Sequence, residues 1–262
     1  MSSTVKSIVK LMLLSFAISS SSVFAIEAPE CKKSTPLISK VHFFASEEIL
    51  NVRTKEEIKA TVETWFTFSN LTMQNSCIPL KRELEAITYL KGVTAEFMSS
   101  LGTAKYAIES ETGKETQELF SKDELGYVGA LSDSSNALQN CGEADMGNNF
   151  FIVALNCATF TMEHELGHLA GAGHDVQTVL VEHGSIDSAR YSTFPKSKEY
   201  AFGWRCANSG TVMSYALGQN LPIYSSPDIF VKGQRCGDSR YGNNAQVMRD
   251  FVKKIVEKQS HQ

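Results

Sequence analysis

The sequence predicts an α+β fold: a mixed twisted sheet with helices, then an irregular C-terminal subdomain that ends in a helix. Three observations carry this expectation. Short apolar runs with strand character recur at residues 36–44, 78–90, 126–131 and 149–155. Apolar residues recur at helical spacing over 54–73, 158–170 and 245–258. Residues 176–242 hold Gly, Ser, Asn and Pro throughout and read as dominated by loops.

The elements follow in order. Lys6 and Lys10 precede a mostly apolar run from Leu11 to Ile18, and Val23-Phe24-Ala25 offers small or tolerated residues for cleavage. Residues 1–25 therefore read as a secretory leader cut after Ala25, and the mature chain is expected to be secreted or periplasmic. The apolar run falls short of the roughly 20 residues that span a bilayer, and no later segment is long and apolar enough to do so. Ile38, Val41 and Phe43 alternate in the first strand. Thr54 and Glu57 form a capping box at the start of a helix whose buried face carries Ile58, Val62, Trp65, Phe66 and Leu71 or Met73. A strand over 78–90 and a short helix over Thr94 to Leu101 come next. Gly126 to Leu131 is a short apolar strand, ended by the polar run Ser132 to Asn136, and Asn149 to Leu155 is a second one. Ala158 to Ala170 is helical. The closing helix, 245–258, gathers Val247, Met248, Phe251, Ile255 and Val256 on or near one face.

The roughly 235 residues after Ala25 suffice to bury a real core and are expected to form one domain over 26–262. Its upper part would cover about 36–170 and its lower part about 171–258. The formal net charge is -4 and no basic stripe is present, which argues against a nucleic-acid partner. Six cysteines in an exported chain point to three disulfides. Sequence neighbours pair as Cys31–Cys77, Cys141–Cys157 and Cys206–Cys236, although other pairings satisfy the count. Cys31 admits a second reading, as a thiolate that blocks a metal until a propeptide is removed. None of the spacings is that of a Cys-rich zinc finger.

The chemistry concentrates in one run: His164-Glu165-Leu166-Gly167-His168-Leu169-Ala170-Gly171-Ala172-Gly173-His174-Asp175. Positions i and i+4 of a helix are offset by only about 40° around its axis, so His164 and His168 project from one face and can share one zinc ion. Glu165 then reaches the flank of the metal, placed to hold a water there and take its proton. Gly171 accepts the left-handed conformation that ends a helix at little cost, so the chain can turn back and bring His174 in as third ligand. Three histidines leave one position open, as a catalytic zinc site requires.

This run resembles the extended zinc signature of the metzincin endopeptidases, and Thr211-Val212-Met213-Ser214-Tyr215 resembles the Met-turn that underlies their metal. The resemblance implies a zinc-dependent endopeptidase with one catalytic Zn2+, a protein or peptide substrate and a monomeric catalytic domain. It implies ligands His164, His168 and His174, general base Glu165, a structural Met213, and structural roles for Gly171 and Asp175. Asp175 after the third histidine is similar to the adamalysin or reprolysin-like branch. Tyr215 is more like astacins and serralysins, where the equivalent tyrosine approaches the metal and helps stabilise an oxyanion; a packing role competes with that reading. The run from Tyr224 to Asp228 and the closing helix look like tails of bacterial reprolysin-like enzymes. Neither the glycine repeats that follow many serralysin domains nor a disintegrin-like cysteine array is present in the sequence.

Two further expectations come from the resemblance. Gly126 to Leu131, with Val128, Gly129 and Ala130 at its centre, would be the edge strand above the metal, to which an extended peptide adds. Residues after Met213, through about Ser225, would wall the pocket for the side chain after the cut. Glu143 and Asp145 form no predicted calcium site, and His42 and His183 stand outside any ligand spacing. A catalytically inactive, zinc-stabilised binding or adhesion protein is the alternative, which the intact Glu165 disfavours. A zinc amidase acting on cell wall ranks lower, because nothing resembles a wall-binding module.

Overall fold

The computed structural model describes residues 26–121, 124–192, 197–216 and 218–260. The expected leader, 1–25, lies outside them. In order, the chain forms β1 (Ile26–Glu27), β2 (Leu37–Ser46), α1 (Lys55–Asn75), β3 (Leu80–Leu90), α2 (Leu101–Thr112) and β4 (Leu125–Ser132). A short α3 (Ser135–Leu138), β5 (Gly142–Ala144), β6 (Phe150–Ala154) and α4 (Thr161–Leu169) complete the upper half. The lower half begins with β7 (Gly173–Asp175), α5 (Val176–His183) and α6 (Ile186–Ser192). The short strands β8 (Phe202–Gly203), β9 (Arg205–Cys206), β10 (Ser209–Gly210), β11 (Phe230–Val231) and β12 (Gln234–Arg235) precede the closing helix α7 (Asn244–Ser260).

The main sheet has the order β3-β2-β4-β6-β5, with β5 alone antiparallel to its neighbour. Parallel neighbours need crossovers, and α1 supplies the one between β2 and β3. Its start is the expected capping box: Thr54 Oγ1 accepts from the Glu57 N–H, while Glu57 Oε2 accepts from the Thr54 N–H at 2.7 Å. Ile58, Val62, Trp65 and Phe66 of α1 pack with Met162 and Leu166 of α4 on one sheet face, against Val41, Phe43 and Phe151. Ala104, Ala107 and Ile108 of α2 cover the other face, against Val128, Ala130, Phe150 and Ile152. A third cluster joins Met73 and Leu80 to Met213, Tyr224 and Met248, and so seats the lower half beneath α4.

Several expectations need correction. Val128, Gly129 and Ala130 do not form an edge: β4 lies inside the sheet, paired with β2 on one side and β6 on the other. Val128 and Ala130 are fully buried. A run apolar on both faces is the mark of a central parallel strand; the sheet's edges are β3 and β5, and β5 is the one beside the histidines. Residues 176–242, read as dominated by loops, also hold two short helices, α5 and α6. Asp175 caps α5 through the Thr178 N–H, and Gly184, at φ +73°, ends it. Such short helices depend on caps more than on an apolar stripe. The helix expected over Thr94 to Leu101 is a 3₁₀ turn, Ala95–Ser99, and α2 follows it. Two of α2's three buried residues are alanines, which give a weak periodic signal. Before the first expected strand, β1 pairs with β11.

Cys31–Cys77, Cys141–Cys157 and Cys206–Cys236 are all bonded. The pairing of Cys31 with Cys77 removes the blocking-thiolate reading. Three disulfides belong to an oxidising compartment. Among the described residues no helix is long and apolar enough to cross a membrane.

Candidate metal centre and cleft

Helix α4 carries His164, Glu165 and His168. Its glycine, Gly167, lets the lower half come close: an added Cβ would lie 2.5 Å from Met213 Sδ and 3.0 Å from Tyr224 Oη. Met213 is fully buried there. The chain leaves α4 through Gly171 at φ +95°, a region that side chains avoid. It returns as β7, which pairs with β8 and presents His174.

The three imidazoles converge, each offering a nitrogen, and these atoms lie within 4.8 Å of one another. His168 Nε2 and His174 Nε2 are 3.0 Å apart, near the roughly 3.3 Å edge of a tetrahedral zinc site with Zn–N bonds of about 2.0–2.1 Å. His164 Nδ1 faces the Val212 carbonyl at 3.0 Å, and His168 Nδ1 faces the Ala172 carbonyl at 2.9 Å. A carbonyl only accepts, so both rings carry the proton on Nδ1 and leave the Nε2 lone pair for a metal. His164 Nε2 is buried with no hydrogen-bond partner, an orphan that a bound cation would satisfy. Burial lowers all three imidazole pKa values: His164 to about 4, His174 to about 3, and His168 well below the ordinary value. They are thus neutral near pH 7, the ligating form. The donor set fits zinc.

Glu165 is buried beside this cluster. Burial, with the Glu143 charge nearby, pushes its carboxyl up to about 8 in the metal-free protein. A cleft of about 240 Å³ is lined by Glu165, His168, His174 and Tyr215 and by Gly142, Glu143 and Ala144 of β5. The Tyr215 phenol is 3.1 Å from His174 Nε2, and its side chain remains half exposed.

Asp175 is fully buried and ties these parts together. Its carboxylate accepts from the Thr178 N–H and hydroxyl, from Arg205 and from the Tyr215 N–H at 3.0 Å. Burial opposes its ionisation, but these hydrogen bonds hold its carboxyl below the usual carboxylate range. The expected site residues of the two motifs therefore meet in one place, whereas Val128, Gly129 and Ala130 lie in the sheet interior. Two features escaped the sequence reading. One is Gly142 of the true edge strand. The other is the buried group of Arg82, Glu163 and Tyr224 behind α4, in which Tyr224 donates to Glu163 Oε1 at 2.6 Å. No local spacing announces either.

Comparison with known proteins agrees with this geometry. Residues 53–225 match the model of Reprolysin_5, metallo-peptidase family M12. A peptidyl-Asp metalloendopeptidase of Xanthomonas campestris pv. campestris is 30% identical over 182 residues, 60% of this chain. The match spans 40% of that protein's length. A chain in a solved structure described as a chaperone–substrate complex shares the fold at TM-score 0.60 and 18% identity, over 85% of this chain and 35% of that one. Metalloproteinase-II of Bacteroides fragilis is similar at TM-score 0.44 and 12% identity, over 86% of this chain and 57% of that one.

Proposed function

We propose, from the premise that this chain belongs to metallo-peptidase family M12, that it is an exported zinc-dependent endopeptidase with Glu165 as general base. The observation that carries the reading is the convergence of three Nδ1-protonated or buried neutral imidazoles beside a buried carboxyl group, facing one cleft. His164, His168 and His174 would hold one zinc ion through their ring nitrogens. Zinc in such a setting supplies Lewis acidity, polarising a carbonyl and lowering the pKa of water to about 7.

The rest falls to the chain itself. Glu165 takes the proton of the attacking water on a carboxylate oxygen and returns it to the leaving amine. Its tendency to stay protonated in the metal-free protein would be offset by a divalent cation held by the three histidines. The Tyr215 hydroxyl donates a hydrogen bond to the oxyanion of the tetrahedral intermediate. An extended peptide adds to the free edge of β5, through backbone hydrogen bonds. The residues after Met213 wall the pocket for the side chain beyond the cut. Met213 packs beneath α4, and Gly171 and Asp175 shape the return of the third ligand.

We read 26–262 as one peptidase domain that acts as a monomer on protein or peptide. The three disulfides and the leader-like residues 1–25 support export. Glu165→Gln tests the mechanism: it should retain wild-type zinc content and lose peptide cleavage. Wild-type-like cleavage by that variant contradicts the assignment.

A further inference from the structure

Gly142 opens the edge strand β5 directly against the side chain of Glu165. A methyl group added at Gly142 would lie 2.6 Å from Glu165 Oε1, 2.8 Å from its Cγ and 2.9 Å from its Cδ. Real Cβ atoms do not approach other heavy atoms so closely. Among the described residues no hydrogen bond reaches the Glu165 carboxylate. Its place in the cleft is therefore set by the walls around it, and the bare backbone of Gly142 is one of them.

That wall is braced. Cys141, just before Gly142, is bonded to Cys157, which lies in the turn between β6 and α4. The Cys141 carbonyl accepts from the Ala154 N–H at 2.9 Å, and Gly142 pairs with Val153. The strand is thus tied both to β6 and to the turn that leads into α4.

We propose that Gly142 is a positioning residue: its missing side chain is the space that the Glu165 carboxylate occupies, and the disulfide-braced β5 holds that space to one carboxylate's width. The inference rests on Glu165 acting as the general base. Gly142 lies outside the left-handed region, so alanine itself is unstrained there. The atoms that a methyl would meet belong to a flexible side chain, not to backbone. The protein therefore yields by swinging the carboxylate rather than by unfolding, and the cost falls on proton transfer.

Gly142→Ala separates this role from a structural one. Misplacing a reacting group by about 1 Å costs on the order of 100-fold, so kcat should fall at least about tenfold, with KM, zinc content and Tm close to the parent's. A crystal structure of the variant should show the Glu165 carboxylate displaced. In a Glu165→Asp background the acid is one methylene shorter and the methyl has room, so the same substitution should cost less than about threefold. The proposal is overturned by an unmoved carboxylate, by a kcat near the parent's, or by an equal cost in both backgrounds. A parent protein that binds zinc yet cleaves no peptide fails at the functional reading itself. An active parent with an equally active Gly142→Ala variant fails at this inference alone.

Discussion

Arg82 and Glu163 face each other through two hydrogen bonds of 3.1 Å, with both side chains wholly excluded from solvent. Glu163 immediately precedes His164 on α4, while Arg82 belongs to the sheet and also donates to Ser39 Oγ at 2.8 Å. The pair thus anchors the helix that carries His164 and His168 to β2 and β3. A buried pair adds little net stability over a well-packed apolar pair, but removing one partner strands the other charge. Arg82→Leu should therefore cost about 3–5 kcal/mol. Urea denaturation of the two proteins checks this, and a loss below about 1 kcal/mol is contrary to it.

Tyr215→Phe deletes the hydroxyl and keeps the ring. The side chain is half exposed, so packing should survive. Turnover should fall on the order of 100-fold, the usual loss for one oxyanion donor. Zinc content and Tm should not change. If the variant cleaves peptides within about threefold of wild type, the hydroxyl takes no part and the side chain is structural.

Asp175 predicts an acid limb in stability. Its folded carboxyl sits below the usual range, because hydrogen bonds from the Thr178 N–H and hydroxyl, the Tyr215 N–H and Arg205 outweigh burial. A depressed folded value means stabilisation that is full above the unfolded pKa of about 3.9 and is lost as pH falls through the folded one. Metal-free wild type should thus exceed Asp175→Asn in denaturation midpoint near neutrality, and the gap should narrow below about pH 4. A gap constant from pH 7 to 3 contradicts this account of the carboxylate.

The Cys141–Cys157 disulfide closes a short loop of sequence separation 16 at the edge strand. Replacing both cysteines with serine should cost about 3 kcal/mol. It should also raise KM, since β5 loses its brace while the imidazole cluster keeps its own. Unchanged KM would separate the disulfide from peptide binding.

What the sequence made legible was local or neighbouring. The capping box of Thr54 and Glu57, the i, i+4 histidines and the turn at Gly171 all follow from spacing within a few residues. The cysteine pairings followed sequence order. The edge strand did not, because strand order depends on which crossovers pack, and the three residues of β5 are too few to show a period. The partnership of Arg82 with Glu163 spans 81 positions, with no local trace in either segment. The helices α5 and α6 were hidden by a Gly- and Ser-rich composition whose effect on them is through their ends.

On the proposed function, His164, His168 and His174 hold one zinc ion, and peptide cleavage depends on it. The most direct test is a zinc titration of chelator-stripped protein, following hydrolysis of a fluorogenic peptide and bound metal together. Activity should vanish on stripping, rise with added zinc and stop rising at about one equivalent per chain, as a single three-ligand site requires. Cleavage that survives complete removal of the metal, or activity restored with no zinc retained, would contradict the account.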